Sequence, residues 1–190
     1  MIFRGLADAV QIEEDHVGSL KHFVKAPGME FAMRWIWIDR FKEFEPSKRA
    51  VAVKNVSLAE DHLHDHWDAF PIMPCSLMIE GMAQTAGILV GQARGFKEKV
   101  ILAKVSRAQF DDIVTPGDQI EYHAEIETIT PDAAVTKGAV MRNGEQIGTV
   151  NLMFSHIDQN LAGQQFPEEN FVFTGQFERL VAPFLESDDA

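Results

Sequence analysis

The feature that most constrains this chain is the segment SLMIEGMAQTAGILVGQAR, from Ser76 to Arg94, which is apolar on every side. Its length, Pro74 before it and Gly95 after it mark a helix, with Ser76 as its cap. A helix without a polar face has to be buried. Gly81, Ala83, Ala86, Gly87 and Gly91 keep its surface small, so another layer can approach closely. Each glycine costs a helix about 1 kcal/mol of propensity. Tertiary packing, not local preference, must therefore hold it. Something has to wrap around this helix.

The rest of the chain supplies that wrapping. MRWIWIDRFKEF, from Met33, is rich in aromatic and β-branched residues, and Met33, Trp35 and Trp37 fall on one face. RAVAVKNVSL alternates as a second strand, with EPSK as the turn between the two. Residues 59–74 show no regular pattern. Four further strands are expected at Val100–Phe110, Gln119–Thr128, Ala134–Arg142 and Gln146–His156. Pro116-Gly117-Asp118 and Asn143-Gly144 read as turns, and Asn-Gly between alternating runs is a strong hairpin signal. Two strands, one buried helix and four strands form an α+β arrangement: a curved antiparallel sheet around a central helix.

A single domain over residues 1–190 is expected, with its core at about 31–156. Residues 1–30 read as an N-terminal extension, closed by Pro27-Gly28. Residues 157–190 read as a C-terminal extension, too aromatic (Phe166, Phe171, Phe173, Phe177, Phe184) to be a disordered tail. The lone Cys75 excludes an internal disulfide and suits a reducing, cytoplasmic setting. No secretory leader is expected at the N-terminus, and no run is long and apolar enough for a membrane span. The net charge of −12 argues against nucleic acid as a partner. That charge is uneven. Residues 94–110 carry five bases (Arg94, Lys97, Lys99, Lys104, Arg107) against Glu98 alone, a patch suited to docking an acidic partner.

Chemistry is expected where the loop meets the helix. Glu80 is a carboxylate inside an apolar helix, with Gln84 one turn on. Burial of such a group raises its pKa toward the range useful for an acid. His66, in the loop before the helix, completes an acid–base pair. The alternation His62, His64, His66 invites a metal reading, but Asp65 is out of place for a metallohydrolase pattern, and surface histidines account better for His62 and His64. Cys75 stands at the helix start as a small residue whose N–H faces the site.

The stretch from His66 to Gly87, HWDAFPIMPCSLMIEGMAQTAG, resembles the 3-hydroxyacyl-acyl-carrier-protein dehydratases of bacterial fatty-acid synthesis, the FabZ type with the hot-dog fold. Their pattern is H-F-P-x-x-P-x-M-P-G, four residues, then E-x-x-A-Q-x-A-G. His66, Pro71, Met73, Pro74, Glu80, Ala83, Gln84, Ala86 and Gly87 fall in register; Cys75 replaces a glycine, and Trp67-Asp68 replaces Phe-Pro. The likeness spans about residues 33–156. It implies His66 as base and Glu80 as acid, contributed by different subunits of a homodimer, alone or in a trimer of dimers. Met73, Pro74, Cys75, Ser76 and Gln84 would then line the substrate site, and Lys97, Lys99, Lys104 and Arg107 would dock the carrier, an acyl-carrier protein or coenzyme A. The expected reaction removes water from a 3-hydroxyacyl thioester, with no metal or organic cofactor. Two rivals are a hot-dog thioesterase, in which Glu80 orients water, and a non-catalytic acyl-thioester-binding subunit.

Overall fold

The computed structural model of the chain describes residues 36–65, 69–157 and 175–185, all within the compact unit Ile36–Ala190. Six strands are described: β1 (Arg40–Glu45), β2 (Arg49–Asn55), β3 (Lys99–Phe110), β4 (Gln119–Ile129), β5 (Ala133–Arg142) and β6 (Glu145–Ile157). They form one antiparallel sheet in the order β1-β2-β4-β5-β6-β3. The helices are α1 (His62–Asp65), α2 (Cys75–Ala93) and α3 (Gly175–Leu185).

The register shows how the sheet receives α2. Ala50 pairs with Ala124, which pairs with Gly138; Ala52 pairs with Tyr122, which pairs with Val140. These two rows share one face of the sheet, and it is the face that α2 meets. A Cβ on Gly81 would lie 2.4 Å from the Tyr122 ring, and one on Gly138 would lie 2.5 Å from Met82 Sδ and 2.6 Å from the Val150 carbonyl. Helix and sheet approach at a distance that only glycine permits. Every residue of α2 from Met82 to Gly91 is buried, with Met78 and Gly81 before them. The expected burial of this helix thus holds over its last three turns.

The turns follow their residues. Asn143 and Gly144 both take positive φ (54° and 83°), the geometry of a two-residue hairpin that matches strand twist, and join β5 to β6. Gly117 (φ 98°) sits in the Pro116–Asp118 turn, where the Thr115 N–H donates to the Asp118 carboxylate at 2.9 Å. Arg142 ties this connection together by donating to the Ile113 carbonyl (2.6 Å) and pairing with Asp112 and Asp118. The Ile113 N–H and the Arg142 guanidinium hold the Asp112 carboxyl below the usual carboxylate range.

Several expectations need correction. The first strand starts at Arg40; Trp37 and Ile38 precede it as buried residues, and Met33 and Trp35 lie outside the described residues. The second ends at Asn55 rather than Leu58. Residues 59–74 contain the short helix α1. Helix α2 begins at Cys75 with Pro74 at its N-cap, so Ser76 lies in the first turn and makes no cap bond. Proline at that position already carries the backbone angle a helix start needs, and the side-chain cap is dispensable. Of the C-terminal aromatics, Phe177 and Phe184 pack on the core from α3, with Phe184 6.3 Å from Phe44; Phe166, Phe171 and Phe173 lie outside the described residues.

The Gly138 contact gives a direct test. Gly138→Ala drives a methyl into a backbone carbonyl that cannot swing away. Overpacking of this kind costs about 1–3 kcal/mol. A denaturant melt should show that loss, and an unchanged midpoint would contradict the close approach.

Candidate active site

The loop before α2 is anchored at Met73, which is buried and whose N–H donates to the Val114 carbonyl at 2.8 Å. That bond fastens the helix start to the β3–β4 connection held by Arg142. The Pro74 carbonyl accepts from the N–H groups of Leu77 (3.0 Å) and Met78 (3.3 Å), which turns the chain into the helix. Cys75 and Ser76 are exposed at this start, with no side chain capping it. The first N–H groups of a helix have no partner within it, and the helix dipole adds partial positive charge there. An oxygen bearing developing negative charge finds donors at this end.

Glu80 stands one turn further on. It is exposed, which corrects the expected burial. Met78 turns into the core while Glu80 lies on the other side of the helix, so the described chain leaves the carboxylate facing out. It is nonetheless oriented. Gln84 Nε2 donates to Glu80 Oε1 at 2.9 Å, and Gln84 Oε1 accepts the Trp37 main-chain N–H at 2.8 Å. Because a main-chain N–H can only donate, the amide oxygen must face Trp37 and the NH₂ must face Glu80. Gln84, expected to touch substrate, uses its amide to link the Glu80 carboxylate to the Trp37 main chain.

His66, with Trp67 and Asp68, lies outside the described residues. Helix α1 ends at Asp65, immediately before it. His64 is exposed, as expected, and its Nε2 is 2.7 Å from the Leu58 carbonyl. His62 is not a surface residue: its side chain is 16% exposed and packs edge-on against Trp37, with ring centroids 5.0 Å apart. Sequence reasoning missed this because the Trp37 partner is remote in the chain. Among the described residues, no three His, Cys, Asp or Glu side chains converge to hold a metal.

The basic residues fall in two places. Lys97 is exposed and Lys99 half-buried just beyond the C-terminal end of α2. Lys104 and Arg107 are exposed along β3, where Arg107 donates to the Gln109 side chain at 2.8 Å. Glu80 stands 13 residues before the end of α2 at Ala93, about 20 Å of helix, so within one chain Lys97 and Lys99 lie far from it.

A six-stranded antiparallel sheet with one apolar helix laid on its face is the arrangement of the hot-dog fold. Residues 30–151 match the FabA-like domain model, and the chain belongs to that family. It is 38% identical to the 3-hydroxyacyl-[acyl-carrier-protein] dehydratase FabZ of Clostridium acetobutylicum, over 62% of this chain and 84% of that protein. The same identity holds to the FabZ of Caldanaerobacter subterraneus subsp. tengcongensis, over 63% of this chain and 86% of that one. Among solved structures, the dehydratase heterocomplex ApeI:P from Xenorhabdus doucetiae superposes with a TM-score of 0.56 at 15% identity, covering 65% of this chain and 84% of that chain. The smu.793 protein of Streptococcus mutans, solved with acetyl CoA, gives 0.53 at 9% identity, covering 68% and 97%. These two likenesses establish the hot-dog fold.

The orienting role of Gln84 is open to test. Gln84→Leu leaves the buried Trp37 N–H without its acceptor, which costs about 1–3 kcal/mol. It also frees Glu80 to rotate. Thermal melts should fall, and kcat should drop by more than the folded fraction does. A variant with full kcat would show that Glu80 needs no such support.

Proposed function

We propose that this chain is a hydro-lyase that converts a 3-hydroxyacyl thioester, carried by an acyl-carrier protein, to the trans-2-enoyl thioester in fatty-acid or related acyl-chain synthesis. The observation that carries this reading is Glu80, oriented by Gln84 at an open helix start and placed in register with His66 as in the family. The reaction removes a weakly acidic α-proton and expels a poor leaving group, so it needs one proton acceptor and one donor. Neutral His66 takes the α-proton. The C–H electron pair becomes the new double bond as the C–O bond breaks, and Glu80 gives its proton to the departing hydroxyl. The N–H groups at Cys75 and Ser76 stabilise the charge that gathers on the thioester oxygen. Met73 and Pro74 shape the wall beside them. No step calls for a metal or organic cofactor.

In this reading a second copy of the chain completes the site. Among the described residues, the 12-residue β3 ends the sheet with its outer edge unpaired, and Leu102 and Val105 are each 40% exposed. They share the sheet face of Phe154 and Leu152, which lies against α2. A long apolar edge strand of this kind is a template for pairing with another chain. Two β3 edges pairing antiparallel about a twofold axis would form a homodimer. That pairing sets the Lys99 end of one copy beside the Phe110 end of the other, from which the chain runs to Val114 and the helix start. Lys97 and Lys99 would thus approach the partner's site, where an acidic carrier docks. The partner would also cover Glu80 and supply the desolvation this chain lacks. A cytoplasmic setting fits the free Cys75 and a diffusing carrier.

Purified protein incubated with 3-hydroxyacyl thioesters should yield enoyl absorbance and a product lighter by one water. Free acid and thiol would instead make it a thioesterase; binding without turnover would make it an acyl-thioester-binding subunit. His66→Ala and Glu80→Gln should each cut turnover by ~10²–10⁴-fold, as an acid–base group contributes. Near-normal kcat in either would refute the assignment. Lys97→Glu with Lys99→Glu should raise KM for carrier-bound substrate, in a salt-dependent way, and spare a small pantetheine thioester, since rim charges act on encounter. Equal loss on both substrates would make the segment structural.

A further inference from the structure

Behind the site lies a buried lysine with a half-buried and an exposed carboxylate beside it, a group that the proton transfers do not use. Lys54 is 8% exposed, near the end of β2, after the buried run Ala50–Val53 and opposite Ile120. Its Nζ lies 2.9 Å from Glu60 Oε2, 3.8 Å from Asp39 Oδ1 and 5.9 Å from the centre of the Trp37 ring. Glu60 in turn accepts the Ser57 N–H at 2.9 Å through its other oxygen, and its Oε2 lies 3.8 Å from His62 Nδ1. His62 rests on Trp37. Burial, aided by the charges of Asp39 and Glu60, pushes the Tyr122 phenol above its usual range, so the same charges bear on the wall behind Gly81.

Burying an ammonium in a sheet is costly unless it is paired, and a buried ion pair is weak evidence of stability for its own sake. What this one does is hold two segments together. On one side, Trp37 donates its main-chain N–H to Gln84, which orients Glu80. On the other, Glu60 and His62 belong to the segment that runs through α1 to Asp65, immediately before His66. Trp37 and Glu60 both face the Lys54 ammonium.

Building on the dehydratase reading, we propose that Lys54 is a positioning residue for the acid–base chemistry: its buried ammonium, through Glu60 and Trp37, fixes the segment that carries His66 and the backbone that aims Gln84 at Glu80. It touches no substrate. Its effect falls on geometry, where a misplacement of about 1 Å can cost ~10²-fold in rate. The effect is the same whether the His66 and Glu80 of one chain serve one site or two.

The test uses Lys54→Met and the double variant Lys54→Met with Glu60→Gln, in the full chain. The single variant takes the ammonium from the half-buried Glu60 carboxylate and should melt earlier than the parent. The double variant removes both charges, keeps an acceptor for the Ser57 N–H and should melt near the parent. Both should lose at least ~10-fold in kcat with KM within ~3-fold, in the range that lost positioning gives. The His66 ring signal in the NMR spectrum, assigned by its absence from His66→Ala, should shift or broaden in both. If the single variant fails to fold, the double variant carries the same test. Recovery of kcat together with the melting temperature would make Lys54 merely structural and overturn the proposal, as would an unmoved His66 signal. If the parent protein itself makes no enoyl product, the dehydratase reading fails, while the His66 signal still decides whether Lys54 positions that segment.

Discussion

Everything in this molecule depends on how closely one apolar helix can lie on its sheet. Gly81 and Gly138 are the points of closest approach, and each has no room for a Cβ. Tyr122 fills the space under Gly81, and Met82 fills the space over Gly138. With α2 drawn down, the alanine and valine rows of β2, β4 and β5 bury against it. The helix has poor intrinsic propensity, and this burial replaces it: fully burying side chains of this size contributes roughly 1.5–3 kcal/mol each.

The same contact sets the site. Because α2 is clamped by Met78 and from Gly81 onward, the solvent side of its first turn and a half, with Cys75, Ser76 and Glu80, is presented outward as a stub. That stub holds the free N–H groups of the helix start and Glu80. The stub is braced at both ends. Met73 is bonded to Val114, in the connection that Arg142 pins, and Gln84 is bonded to Trp37. A carboxylate exposed in one chain yet fixed in direction suits a site that a second chain closes. The β3 edge, unpaired among the described residues and with Leu102 and Val105 exposed on the helix side of the sheet, suits the same arrangement.

Much of the fold was legible in the residues because the signals were local. The helix was readable from its apolar run and from Pro74. The β5–β6 hairpin was readable from Asn143-Gly144, and the six strands from their alternation. What escaped was decided by contacts remote in sequence. Glu80 looked buried because its neighbours are apolar, but burial depends on which side of the helix meets the sheet, and Met78 and Gly81 take that side. His62 looked like a loop histidine until Trp37, from the start of the sheet, closed on it. The Gln84–Trp37 bond joins residues 47 apart, and no periodicity announces it. Of the acid–base pair, the described residues include Glu80, while His66 rests on its register in the family motif.

The central claim is that His66 and Glu80 act together at a site two chains share. The most direct measurement mixes His66→Ala with Glu80→Gln under conditions that allow subunits to exchange, and follows dehydration of a 3-hydroxyacyl thioester. The account predicts that two inactive proteins regain activity on mixing, because some heterodimers pair an intact His66 with an intact Glu80 across the interface. Exchange demonstrated by mass with no return of activity would contradict it.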